Sequence, residues 1–172
     1  MRKTLLLSLM LAITTVAMAQ MNIPGTRVFF DFPQGGWKYL QTTEVDKNTQ
    51  VYLYTYSAQN VVDSKGDTVL PCLRIYVRKN YDKSMFKFIM ERFKEQPYQS
   101  LDEYTEGIPG DEAFGYIAAY TDQVDKKDYG MRMVCFKDKT TVVEFRLETT
   151  FDTYPAFEKQ FEEIASTLKI KK

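Results

Sequence analysis

Val51-Tyr52-Leu53-Tyr54-Thr55-Tyr56, then Asp63-Ser64-Lys65-Gly66-Asp67, then Leu73-Arg74-Ile75-Tyr76-Val77-Arg78: residues 51–78 alternate, turn and alternate again. Side chains along a strand point to opposite faces in turn, so a period of two on both arms marks a pair of neighbouring strands. Gly66 suits the left-handed position that ends a type I turn with a bulge. Setting Asp63 against Asp67 carries the register outward to Leu53 opposite Val77 and Thr55 opposite Ile75. The other face then sets Tyr54 against Tyr76 and Tyr56 against Arg74. This register predicts one aliphatic face and one of tyrosine with arginine, and a one-residue slip would scramble them.

The hairpin sits among further strands. Arg27–Phe32 and Trp37–Leu40 read as two short ones flanking Pro33-Gln34-Gly35-Gly36. Downstream, Ala113–Thr121, Gly130–Lys137 and Thr140–Thr149 form a meander, joined by the polar turn Asp122–Tyr129 and the tight Asp138-Lys139. Val143, Phe145 and Leu147 alternate with Glu144, Arg146 and Glu148, the pattern of a half-buried strand. Leu101–Ile108 holds another short strand before Pro109-Gly110. Two segments repeat at helical spacing instead. One runs from about Lys83 to Glu95, capped by Asp82 and stopped by Pro97, with Met85, Phe86, Ile89 and Phe93 on one apolar face and Phe88 widening it. The other runs from about Tyr154 to Lys169, capped by Asp152 or Thr153, with Pro155 in its first turn. Its stripe is Phe157, Phe161, Ile164, Ala165 and Leu168. The fold class is α+β, an antiparallel sheet flanked by two amphipathic helices.

The first nineteen residues are set apart. Met1-Arg2-Lys3 is basic, Thr4–Val16 is almost wholly apolar, and Ala17-Met18-Ala19 gives a small-x-small site before Gln20. This is the pattern of a signal peptide covering 1–19, with a mature domain at 20–172. The apolar run is shorter than the roughly 20 residues a membrane-spanning helix needs. The expected location is periplasmic or secreted, at a bacterial envelope, with no membrane span in the mature chain.

Beyond the leader, 153 residues carry 21 basic and 23 acidic side chains, a net charge of −2. That size suits one domain. Near-neutral charge offers no general attraction for nucleic acid. Aromatic residues make up 15% of the chain, as 12 Tyr, 12 Phe and Trp37, which favours pleated, half-buried surfaces. Histidine is absent. Ser-His-Asp and Cys-His mechanisms are therefore excluded, together with imidazole-ligated metal sites. No metal or cofactor is expected. Cys72 and Cys135 each lie in a β-like run, so an oxidising compartment permits one disulfide between them, the alternative being two separate buried thiols.

Three parts of the chain together resemble the PsbP-like family. They are the aromatic strand running into Phe32-Pro33-Gln34-Gly35-Gly36-Trp37, the hairpin, mid-chain helix and meander in that order, and the closing Phe157-Glu158-Lys159-Gln160-Phe161-Glu162-Glu163-Ile164-Ala165-Ser166-Thr167-Leu168-Lys169-Ile170. The resemblance implies an antiparallel sheet flanked by helices, shared with a Ran-binding nuclear-transport factor and with small exported bacterial proteins of unknown role. It implies binding or scaffold work outside catalysis, as plant PsbP proteins assist the oxygen-evolving complex.

The strongest surface candidate is the face of Tyr52, Tyr54, Tyr56, Arg74, Tyr76 and Arg78. If exposed, it joins aromatic area to guanidinium groups, the composition of interface hot spots; if a helix covers it, it is core. Asp122, Asp125 and Asp128 lack the glycine and glutamate positions of an EF-hand and read as a solvated tip. Gly107-Ile108-Pro109-Gly110 is a turn. The expected function is an exported, soluble, non-enzymatic binding or accessory protein for a protein partner or small ligand. The alternative is an extracytoplasmic hydrolase acting on glycans through carboxylates, Asp111-Glu112 or Glu144 with Glu148.

Overall fold

The structure is a computed structural model that describes residues 20–96, 98–105 and 113–171. The expected leader, the turn at 107–110 and Asp111-Glu112 lie outside the described residues, as does the end of the strand expected at 101–108.

In chain order the elements are β1 (Met21–Asn22), β2 (Val28–Phe30), β3 (Trp37–Asp46), β4 (Thr49–Tyr56), β5 (Val61–Val62), β6 (Thr68–Val69) and β7 (Cys72–Arg78). Then come α1 (Met85–Glu95), β8 (Ser100–Tyr104), β9 (Ala113–Thr121), β10 (Asp128–Asp138), β11 (Thr141–Thr150), α2 (Tyr154–Ser166) and β12 (Lys169–Ile170). Among the described residues, seven strands form one antiparallel sheet in the order β3-β4-β7-β11-β10-β9-β8. The small sheet β1-β2-β12 and the two-stranded β5-β6 lie apart from it. This is the α+β architecture that the alternation of periods predicts.

The helices occupy opposite faces. On the α2 side, Phe157, Phe161, Ile164, Ala165 and Leu168 bury the predicted stripe against Leu73, Ile75, Val77, Val143, Phe145 and Leu147. The small sheet extends this core, with Phe30 meeting Tyr54 and Phe145 edge-on. On the α1 side, Met85, Phe88 and Ile89 pack on Met131, Met133 and Cys135. Ser84, not Asp82, caps α1: its backbone is extended and its hydroxyl accepts from the Lys87 N–H at 3.3 Å. Phe86 falls about 100° around the helix from Met85, on the side away from Phe88, and is 67% exposed, so it is not part of the buried face.

β11 departs from its half-buried expectation because both of its faces are covered. Glu144, Arg146 and Glu148 are buried as deeply as Val143, Phe145 and Leu147. Alternation reports which residues share a face; it does not say whether the polar face is wet.

The hairpin turn forms as predicted: the Asp63 N–H donates to the Asp67 carbonyl at 2.9 Å, and Gly66 has φ +86°. Its register does not extend outward. β5 and β6 pair Val61 with Val69, whereas β4 and β7 pair Thr55 with Cys72, Tyr54 with Leu73 and Tyr52 with Ile75. Between the two ladders the first arm spends five residues (56–60) and the second two (70–71). An odd excess reverses the parity. Tyr52 and Tyr54 therefore join Leu73, Ile75 and Val77 in the α2-side core, and Arg74, Tyr76 and Arg78 face the other way.

Candidate functional site

The predicted tyrosine and arginine face is thus split across the sheet. Tyr52 and Tyr54 are buried, and Tyr56 packs edge-on against Phe157 with centroids 5.2 Å apart. Arg74, Tyr76 and Arg78 stay together on the α1 side, with Val51 and Leu53 of β4 as neighbours. α1 is an eleven-residue helix seated over β10 and β11. The same face of β3, β4 and β7 lies beside it, and its side chains are exposed or half-buried at Gln41, Thr43, Val51, Leu53, Tyr76 and Arg78.

Beneath the edge of α1 lies a buried charge network. Glu144 accepts from Arg92 Nε at 2.7 Å and Nη2 at 3.1 Å, a bidentate pair, and from Arg146 Nη2 at 2.6 Å. Arg146 Nη1 lies 3.8 Å from Glu148, which also pairs with Arg74 and accepts from the Tyr120 hydroxyl at 2.9 Å. Arg92 reaches outward to Glu95 at 2.8 Å. Burial alone would raise the Glu144 carboxyl, but Arg146 and Arg92 outweigh it and hold the group below the usual carboxylate range. Both guanidinium carbons sit 5.4 Å from the Tyr76 ring centroid, so the same cations fix that ring. A glycosidase acid needs a carboxyl raised so that it keeps its proton. Glu144 is the opposite, and Glu148 is sealed from solvent, so the hydrolase alternative gains no support from this pair.

Between α1 and the open strands runs a groove of about 250 Å³. Phe88, Val142, Val45 and the Tyr76 ring supply its apolar surface. Glu144, Arg92 and Glu95, already bonded to one another, form one wall. Across the other end runs the cross-strand row Asp46, Thr49 and Arg78, in which Thr49 is paired with both flanking residues. The Thr49 hydroxyl is buried without a partner at hydrogen-bonding distance. Asp46 accepts from the Asn48 N–H at 2.7 Å; this bond and the nearby Thr49 hydroxyl hold its carboxyl below the usual range. Among the described residues, Arg78 has no carboxylate within 4 Å, unlike Arg74, Arg92 and Arg146. Asp46 and Arg78 also line a second depression of about 350 Å³ with Asn48, Lys79 and Tyr81, where the Arg78 guanidinium carbon lies 6.0 Å from the Tyr81 ring centroid.

The remaining candidates are satisfied internally. Lys127 places its ammonium between Asp63 at 2.8 Å and Asp67 at 2.7 Å beside a smaller cavity of about 170 Å³. Asp122 accepts from the Val124 N–H, Asp125 from the Tyr129 hydroxyl, and Asp128 from the Thr121 hydroxyl, so all three carboxylates are engaged in the tip itself. Among the described residues no group of three ligating side chains stands ready for a metal. Cys72 and Cys135 are both free and buried, which corrects the disulfide alternative. They pair with Glu148 and Glu144, four residues apart on the intervening β11, too far for a bridge. Burial raises both thiols.

Of the six residues the sequence singled out, Tyr76 and Arg78 line this groove and Arg74 does not; Asp46, Thr49, Phe88 and Arg92, which also line it, were not among them. The signal for Arg92 was present: an arginine on the apolar side of an amphipathic helix needs a buried partner, and β11 offers two glutamates.

No family model matches the sequence, and no curated protein matches it. Solved structures do. The chain is similar to a protein of Bacteroides thetaiotaomicron VPI-5482, with 15% identity over 89% of this chain, 48% of that one and a TM-score of 0.54. It therefore spans about half the length of that protein. Similar structures include the cyanobacterial PsbP of Synechocystis sp. PCC 6803, with 11% identity, 93% and 96% coverage and a TM-score of 0.49. They also include LpqN, involved in cell envelope biogenesis of Mycobacterium tuberculosis, with 13% identity, 82% and 95% coverage and a TM-score of 0.46. At these identities the likeness is one of fold. Among the described residues no helix is long and apolar enough to cross a membrane.

Proposed function

We propose that this chain is an exported, non-enzymatic binding or accessory protein, and that the groove beside α1 is where it takes its ligand. The observation that carries this reading is the pairing of a concave surface with a fixed polar frame: Tyr76 and Arg92 are held by the buried network, while Asp46 and Arg78 stand outside it, on either side of the buried Thr49 hydroxyl. Binding sites are concave, largely apolar and equipped with a few placed polar groups. Support for export comes from the basic, apolar and small-residue succession of residues 1–19. Support for binding over catalysis comes from the lack of histidine and the ionised, doubly paired Glu144.

The test uses residues 20–172, isotope-labelled, in two-dimensional NMR with a panel of small molecules, alongside a hydrolase screen on glycans. Shifts concentrated at Thr49, Tyr76, Arg78 and Arg92, without turnover of any glycan, are the expected result. Glycan turnover would overturn the non-enzymatic reading, and a panel that moves no groove resonance would overturn the site.

A further inference from the structure

We infer that the groove is built for a small zwitterion, an apolar α-amino acid, with its carboxylate on Arg78, its ammonium on Asp46 and its side chain against Phe88 and Val142. This deepens the proposed function and rests on the groove being the ligand site.

The argument is one of charge matching. Arg74, Arg92 and Arg146 on this face are answered by Glu95, Glu144 and Glu148, three against three, within a closed network. Arg78 and Asp46 remain outside it, one of each sign. They flank Thr49 in one cross-strand row, so their Cα atoms lie two strand spacings apart, roughly 10 Å. The buried Thr49 hydroxyl lies between them, near enough to Asp46 to help hold its carboxyl down but with no partner at hydrogen-bonding distance. An anion alone would meet Arg78 but also Asp46 and Glu95; a cation alone would meet Asp46 but also Arg78 and Arg92. A ligand carrying both charges close together satisfies the row. The apolar surface of Phe88, Val142 and Val45 then takes a hydrophobic side chain, and a volume of about 250 Å³ restricts the ligand to a small molecule.

Four probes test this by calorimetry and NMR on residues 20–172: L-leucine, L-phenylalanine, N-acetyl-L-leucine, which lacks the ammonium, and L-leucinamide, which lacks the carboxylate. Expected is binding of the free amino acids at the groove, with each blocked derivative at least about tenfold weaker, the factor that 1.4 kcal/mol represents. Arg78→Gln should weaken leucine and N-acetyl-leucine but leave leucinamide unchanged. Asp46→Asn should weaken leucine and leucinamide but leave N-acetyl-leucine unchanged. Equal binding of free and blocked forms overturns the inference, as does no groove response to either amino acid at about 20 mM, where a millimolar site would be nearly saturated. If other compounds of the panel move groove resonances while amino acids do not, only the ligand class falls. If nothing moves them, the proposed site falls too.

Discussion

Replacing Glu144 by Gln is the sharpest probe of the charge network. The amide keeps the shape and one acceptor but withdraws the charge that answers both Arg92 and Arg146. Removing one member of a buried ion pair costs about 3–5 kcal/mol, because its partner stays buried and uncompensated. The lower end applies here: Arg92 keeps Glu95 at 2.8 Å, and Arg146 keeps Glu148 at 3.8 Å. About 3 kcal/mol is expected, which in a domain of this size lowers Tm by roughly 6–12 °C. The pH dependence gives an independent check. Burial pushes the Glu144 carboxyl up, Arg146 and Arg92 pull it further down, and the net folded value lies below the unfolded 4.5. Its contribution is therefore complete above pH 4.5 and is lost as pH falls through the folded value. Urea denaturation of both proteins between pH 7 and pH 3 should show a full gap at neutrality that closes in acid, where the native carboxyl becomes as neutral as the amide. A gap below about 1 kcal/mol at pH 7, or one that fails to narrow, would refute the reasoning.

Other substitutions separate the two faces. Tyr54→Ala, in the α2-side core against Phe30 and Leu73, should cost about 3 kcal/mol, while Arg78→Ala at the groove should stay within about 0.5 kcal/mol by the same urea titrations. Similar losses for both would return the two residues to one face. Gly130→Ala should destabilise by about 1–3 kcal/mol in chemical denaturation, since a Cβ there meets Tyr154 Cγ at 2.7 Å and Cβ at 2.8 Å, so the start of α2 must move. Titration with a thiol reagent without reductant should find two thiols in the denatured protein and almost none reactive in the native one; no thiols after denaturation would establish the bridge.

Much of the fold was legible because it rests on local signals. The α2 stripe, the β9 bounds and the Asp63–Gly66 turn follow from periodicity, Pro155 and a glycine with positive φ. What was not legible is what joins local units. The register of β4 on β7 depends on an odd excess of residues between two correctly read ladders, and no pattern in Ser57–Asn60 announces it. The groove was invisible for the same reason. Asp46, Thr49 and Arg78 come from three strands, and Phe88 and Arg92 from a helix, so the site exists only through the sheet order. The depth of Glu144, Arg146 and Glu148 was hidden because an alternating strand reads alike whether its polar face meets water or a helix.

That buried polar face bears on the groove directly. An apolar β11 would hold α1 by non-directional packing, leaving its rotation loosely set. Arg92 makes the seating directional, since its bidentate bond to Glu144 is available at one helix rotation. Turning α1 by one residue, about 100°, would bring Glu91 or Phe93 toward Glu144 in its place, setting like charge or an aromatic ring against a buried carboxylate. The rotation that satisfies Glu144 is also the one that places Phe88 and Glu95 along the groove. The network therefore fixes the wall of the groove, and Glu144→Gln should loosen both together: a lower melting temperature accompanied by exchange broadening of groove amides at Tyr76 and Arg92, with α2-side amides such as Phe161 left sharp.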